Sequence, residues 1–154
     1  MMSACVRPLI ACDCLAVYAK VNGTTASLLY KDGPGANAFS ERPIALGTGL
    51  SGWVIENERP IMNGNPTVEA HLLPGAGYFN SNSSALSIPL ADESGTVFGA
   101  LTLYSRRQAA FSGEHLRILQ AVQLRFTLAL QNAISNATTH AEPDAAALAG
   151  LSAS

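Results

Sequence analysis

From Cys14 to Val21 the chain alternates: Leu15, Val17, Ala19 and Val21 share one face, and Ala16, Tyr18 and Lys20 the other. A period of two is that of a β-strand. Asn22-Gly23 follows. Both residue types tolerate positive φ, so the pair predicts a tight hairpin with Thr25 to Tyr30 returning. Lys31-Asp32-Gly33-Pro34-Gly35 closes this unit. Ile44-Ala45-Leu46 predicts a short strand, and after Gly49 the residues Leu50, Trp53 and Val54 fall on one helical face. Asn57 to Pro60 ends that helix, and Pro60-Ile61-Met62 predicts another short strand. Residues 64–83 form a long connection of Pro, Gly, Asn and Ser, with a short helix expected from Val68 to Leu73. Connections of this length usually serve a function.

Ser84 to Leu90 predicts a strand with Leu86, Ile88 and Leu90 on one side, and Asp92-Glu93-Ser94-Gly95 a turn. Val97 to Tyr104 returns as a strand that is apolar on both faces, which implies layers above and below the sheet. Ser112 suits a helix N-cap and Glu114 the positive end of a helix. The longest helix is expected over 112–136. Its Leu116, Leu119, Gln123, Phe126, Leu130, Ala133 and Ala137 repeat at three-then-four spacing, a heptad seam with one polar position. Past about Leu130 such a seam suits pairing with a second chain. A short helix is expected over 3–12, with Pro8 tolerated in its first turn, and an Ala-rich linker or tail over 138–154. The expected organisation is therefore one domain over 1–137 followed by that tail.

Composition narrows the function classes. The 154 residues are 48% hydrophobic and 13% charged, with 9 Lys and Arg against 11 Asp and Glu. Nucleic-acid binders carry a basic stripe, and here the densest basic pair is Arg106-Arg107. No apolar run reaches the roughly 18 residues of a membrane helix, and the start of the chain lacks a signal-peptide layout. The 3 cysteines, Cys5, Cys12 and Cys14, read as reduced thiols in a cytoplasmic setting. Cys12 and Cys14 form one half-site with no second pair to complete a metal tetrahedron. They read instead as small apolar residues packing at a helix–strand junction. His71, His115 and His140 lie far apart, no nucleophile–base–acid set appears at usable spacing, and no Lys follows the glycines near position 49 as a phosphate loop requires. No catalytic residue and no metal site is expected.

Several motifs together resemble a GAF domain. Leu46-Gly47-Thr48-Gly49-Leu50-Ser51-Gly52-Trp53-Val54 is similar to the family's G-x-G-[IL]-x-G-x-V run, followed by a helix and a Pro such as Pro60. Asn65 resembles the family's polar residue after the next strand. Ser84-Ala85-Leu86-Ser87-Ile88-Pro89-Leu90 is similar to S-x-L-x-V-P-L. Phe98 to Leu103 follows a Gly-containing turn, and Ala129-Leu130-Gln131-Asn132-Ala133 resembles A-I-x-N-A at the end of a long helix. The resemblance covers roughly residues 9 to 137 and departs in the first helix, for which only about nine residues are at hand where the family has several turns.

The resemblance implies an α+β fold: a six-stranded antiparallel, GAF- or PAS-like sheet. Terminal helices cover one face, and a loop-bounded pocket lies over the other. It implies a sensory or regulatory module, cytoplasmic, that takes a small molecule and signals through a homodimeric helix bundle (Phe126, Leu130, Ala133) to an output domain of cyclase or kinase type. Leu148-Ala149-Gly150-Leu151 loosely resembles the L-T-G-L that opens many GGDEF cyclase domains. The candidate ligand-binding residues are Trp53, Asn65, His71, Tyr78, Phe79, Ser84 and Ser87. Each has a plain structural alternative, since an indole is more often core and a serine more often a strand-face residue. The motifs of the bilin-binding and cyclic-nucleotide branches are missing, and His71 is the single candidate haem ligand, so the cofactor is left open. The alternative function is a ligand-free dimerisation or interaction module whose pocket is filled by Leu72, Tyr78 and Phe79. A more remote one is an enzyme like the methionine sulfoxide reductases of this family, which needs a pocket thiolate.

Overall fold

The computed structural model describes residues 9–69, 72–73 and 77–141, except, in the last helix, the side chains of residues 124, 126, 130, 131 and 133–141. Six strands, β1 (Cys14–Lys20), β2 (Thr25–Asp32), β3 (Ile44–Ala45), β4 (Ile61–Gly64), β5 (Ser84–Ala91) and β6 (Val97–Ser105), form one sheet in the order β3-β2-β1-β6-β5-β4. Every neighbouring pair is antiparallel. Among the described residues, two α-helices, α1 (Gly49–Asn57) and α2 (Gly113–Ala141), complete the elements with 3-10 turns at Ala36–Ala38 and Pro66–Val68.

The period-two pattern separates two apolar layers. Leu15 and Val17 of β1 join Leu86, Ile88, Leu101 and Leu103 beneath Phe111 and Leu119 of the α2 region. Ala16 and Tyr18 point the other way, with Ala85, Ala100 and Tyr104, toward Leu50, Val54 and Ile55 of α1. The glycine run has a steric purpose here. Gly49 starts α1 at φ 64°, and a Cβ on Gly52 would sit 2.5 Å from the Ala45 carbonyl oxygen. Only glycines let α1 lie this close to β3.

Three expectations are corrected. Neither Asn22 nor Gly23 takes a positive φ. Instead the Asn22 Oδ1 accepts from the backbone N–H groups of Thr24 and Thr25, at 2.8 and 2.9 Å, and closes a wider loop. Residues 9–13 are not helical, and residues 1–8, the rest of the expected 3–12 helix, lie outside the described residues. In place of a helix over Val68–Leu73, Pro66–Val68 makes a 3-10 turn capped by the Asn65 side chain. Glu69 is then extended and Leu72 bridges to Phe39.

The seam of α2 begins as expected. Leu119 is fully buried and Leu116 packs beside it on the sheet. Gln123, the polar seam position, donates to the Ala91 carbonyl at 2.9 Å and to Thr127 Oγ1 at 2.8 Å, so it docks the helix onto the end of β5. The side chains of Phe126, Leu130 and Ala133 and the whole of 142–154, including Leu148 to Leu151, lie outside the described residues.

Candidate functional site

The α1 layer carries two features that its apolar surroundings do not require. The first is an aromatic cluster. Phe39 stacks against Tyr104 with ring centroids 4.5 Å apart, Phe79 lies 5.5 Å from Phe39 and 5.7 Å from Tyr104, and Tyr78 meets Phe79 edge-on at 4.9 Å. The Arg106 guanidinium covers the Tyr78 ring at 4.8 Å, a cation–π contact. Gly35 makes room for the pair: a Cβ there would meet Tyr78 at 2.7 Å and Phe79 at 2.8 Å. The backbone closes over the same place, with Leu73 N–H donating to the Ala38 carbonyl at 2.8 Å.

The second feature is a buried carboxylate. Glu69 is only 4% exposed. Its Oε1 accepts from the backbone N–H of Leu50 at 2.7 Å and of Ser51 at 3.1 Å. Its Oε2 accepts from Ser51 Oγ at 2.7 Å and from the Tyr104 hydroxyl at 2.5 Å. Thr48, the N-cap residue of α1, makes no side-chain cap and donates to the Ala45 carbonyl instead. Glu69 therefore caps α1 from 18 to 19 residues away, where the helix dipole favours a negative charge. Because Ser51 spends its proton on Glu69, Thr102 Oγ1 donates to Ser51 at 2.8 Å and Ser87 donates to Thr102 at 2.7 Å. The result is a one-way chain of hydroxyls ending on the carboxylate, in which each bond polarises the next. Burial, and next the Glu69 charge, push the Tyr104 hydroxyl well above the usual phenol range; the same two causes in the same order raise Tyr18, with Cys14 adding to them. Both phenols keep their protons at neutral pH.

The structure sorts the sequence candidates. Tyr78 and Phe79 pack together in this layer, and Ser87 lies on the same side of the sheet, bonded to Thr102. Ser84 has the opposite parity to Ser87 on β5, and its Oγ donates to the Arg107 carbonyl at 2.6 Å and accepts from the Ala110 N–H at 3.1 Å. Trp53 lies on the outer side of α1, 37% exposed. Asn65 Oδ1 is used by Thr67, at 2.9 Å from its N and 2.8 Å from its Oγ1. His71 lies outside the described residues. Glu69, Ser51, Thr102 and Tyr104 were not among the candidates. Cys14 also belongs to the α1 layer, fully buried, by the same alternation that places Ala16 and Tyr18 there. Among the described residues no three His, Cys, Asp or Glu side chains gather as metal ligands, and no helix is long and apolar enough to cross a membrane. A groove of about 310 Å³ lies elsewhere, along β2, lined by Leu28 to Lys31 and Glu41.

A six-stranded antiparallel sheet with α2 packed on one face and α1 on the other defines the α+β class. The family model for the GAF domain matches residues 1–131, and the chain belongs to that family. No curated protein matches the sequence. Solved structures agree in fold. The GAF domain of a phosphoenolpyruvate-protein phosphotransferase from Coxiella burnetii is 17% identical with a TM-score of 0.70, over 89% of this chain and 82% of that one. The GAF-B domain of DevS from Mycobacterium smegmatis is 19% identical with a TM-score of 0.65, over 89% and 93%. A type II free methionine-R-sulfoxide reductase from Thermoplasma acidophilum is 18% identical with a TM-score of 0.64, over 82% and 86%. GAF domains are in general regulatory modules of signalling proteins, and some proteins of this fold are enzymes.

Proposed function

We propose that the chain is a sensory module that takes a small molecule in the α1 layer, beside Glu69 and Tyr104, and passes the event to α2. The observation that carries this reading is the Glu69-centred network. Small-molecule sites are mostly apolar with a few convergent polar groups, and here a carboxylate, two backbone N–H groups and hydroxyls of Ser51, Thr102, Ser87 and Tyr104 converge in an apolar layer. A layer built for stability alone gains as much from apolar side chains of similar volume. The finer parts of the reading are a cytoplasmic setting, pairing of two copies through Phe126, Leu130 and Ala133, and an output domain of cyclase or kinase type. Native mass spectrometry of the purified protein, repeated after denaturation, tests it. A mass excess that disappears on denaturation supports the reading, and a bare mass, with no stabilisation by any of a panel of small metabolites, overturns it.

One observation favours the ligand-free module. Phe79 is buried and Tyr78 and Leu72 pack beside it, so the chain's own side chains occupy the layer. The enzyme reading asks for an accessible thiolate in the α1 layer; of the described cysteines, Cys14 in that layer is fully buried and half-buried Cys12 packs on the opposite layer.

A further inference from the structure

We infer that Asn63 is the joint between the two layers: α1 and β4 shift as one unit, and the Asn63 side-chain amide makes the root of α2 follow. This deepens the sensory reading by naming the route from the α1 layer to α2, and it rests on that reading for the event itself.

Residues 49–69 close on themselves. α1 ends at Asn57 and β4 begins at Ile61, so only Glu58, Arg59 and Pro60 join them. Glu58 turns the chain in the left-handed region, at φ 58°, and its N–H donates to the Val54 carbonyl at 2.8 Å. At the other end Leu50 fits against Gly64, where a Cβ would lie 2.9 Å from Leu50 Cδ2 and 2.8 Å from Ile61 Cγ2. The Pro66–Val68 turn then lies against α1 with Pro66 buried. Glu69 returns to the first N–H groups of α1, at 2.7 and 3.1 Å. A displacement of α1 is therefore shared by β4, through the chain at one end and through close packing at the other.

β4 is the strand best able to share it. It stands at the edge of the sheet and pairs with β5 alone, whereas β5 and β6 have a neighbour on each side. The slip in register between Met62 and Gly64 makes Asn63 the extra residue of a bulge, at φ 57°. Bulges re-aim side chains, and this one carries Asn63 to the segment before α2. Its Nδ2 donates to the Phe111 carbonyl at 2.7 Å, and its Oδ1 accepts from the Phe111 N–H at 3.0 Å. One planar amide thus holds both backbone groups of one residue, which fixes orientation as well as distance.

Phe111 is the root of α2. Its ring is buried in the α2 layer with Leu119. The next residue, Ser112, accepts from the Leu116 N–H at its carbonyl, at 3.1 Å, and from the His115 N–H at its Oγ, at 3.3 Å. A second anchor comes from β5: Ser84 Oγ holds the Arg107 carbonyl and the Ala110 N–H. With one anchor on a strand paired on both sides and one on the edge strand, a shift of β4 tilts the first turn of α2. Helix shifts of about 1–2 Å are the usual scale of such transitions. A competing route exists, because α1 also lies on β5 and β6 and Ser51 bonds to Thr102.

Two-dimensional amide NMR of the full chain separates these routes. The perturbation is Leu50→Ala in α1, and the reporters are the amide resonances of Glu114, His115 and Leu116 in the first turn of α2. Leu50 and Leu116 lie in opposite layers, and substitutions without shared partners ordinarily act independently. Leu50→Ala is expected to move these resonances in the wild type and to move them at least about threefold less in Asn63→Gly. Glycine tolerates the left-handed φ, so that variant removes the amide without straining the backbone. Asn63→Asp keeps the acceptor and loses the donor, and an intermediate response is expected. Leu50→Val stands in should the alanine variant fail to fold. An ordinary anchor gives a different result: Asn63→Gly moves the resonances by itself, and Leu50→Ala moves them in neither background. That result overturns the joint, and so does equal movement in both backgrounds, which puts the route through β5 and β6. The two readings fail separately. A bare mass in the native spectrum removes the ligand and leaves the linkage standing, whereas a carried ligand with equal movement in both backgrounds removes the role of Asn63 alone.

Discussion

Removing the Phe79 ring measures what the aromatic cluster contributes. The ring is 4% exposed and sits within 6 Å, centroid to centroid, of Phe39, Tyr78 and Tyr104. Phe→Ala in protein cores costs about 3–5 kcal/mol, from lost transfer free energy and the void left behind. Phe79 lies in a connection, not in the sheet, so its backbone can settle into part of the void. The expected loss for Phe79→Ala is therefore at the low end, about 3 kcal/mol. For a chain of this length that lowers Tm by about 6–12 °C. Urea unfolding followed by far-UV circular dichroism measures it, with an m value equal to that of the wild type. Gly35→Ala supplies an internal control. Its Cβ meets the Phe79 ring at 2.8 Å and Tyr78 at 2.7 Å. The substitution is expected to destabilise the wild type and to cost less in the Phe79→Ala background. A loss below about 0.5 kcal/mol for Phe79→Ala, the ordinary range for a surface site, refutes the reading of the cluster as a structural plug. Additive effects of the two substitutions refute the packing argument at Gly35.

Gly99→Ala drives a Cβ onto the Tyr18 carbonyl between β1 and β6. Backbone cannot yield there, so a loss above about 3 kcal/mol is expected, and a near-native urea midpoint counts against the register Ala19↔Gly99. Tyr18 and Tyr104 are both raised in the fold. Stability is therefore full below the unfolded value near pH 10 and falls as pH rises beyond it, because the unfolded chain loses those protons first. The slope is about 1.4 kcal/mol per pH unit for each tyrosine, and Tyr104→Phe should roughly halve it in urea titrations between pH 9.5 and 11.5; an unaltered slope refutes the assignment. Leu130→Asp tests the proposed pairing: sedimentation velocity should show a dimer converted to a monomer, and an unchanged coefficient argues against association through α2.

Much of the fold is legible in the residues, for reasons that differ between elements. The alternation of β1 reports its two faces directly, because Leu15 and Val17 enter one layer and Tyr18 the other. The glycine run locates α1 because close approach to β3 admits nothing larger than hydrogen at Gly52. The Asn22-Gly23 loop was legible as a turn but not as a type, since the outcome depends on whether Asn22 turns its backbone or offers its side-chain oxygen. Glu69 was invisible. A glutamate in a polar connection ordinarily faces water, and what draws this one inward is a set of donors brought together by tertiary contacts with Leu50, Ser51 and Tyr104. Ser84 and Ser87 show the opposite failing. Their parity on β5 already places them on opposite faces, and a single ligand cannot take both.

The sheet ends in stubs on both sides. β3 has two residues, and β4 has four, with Asn63 in the left-handed region and a slip in register between Met62 and Gly64. An exposed strand invites another chain to continue the ladder, and short or bulged borders deny it the run of evenly spaced donors and acceptors that this needs. The domain is thereby protected against fibre-like stacking and against peptides that bind as an added strand. Its conversations with other molecules are left to side chains, on helices and connections, where recognition is selective and reversible.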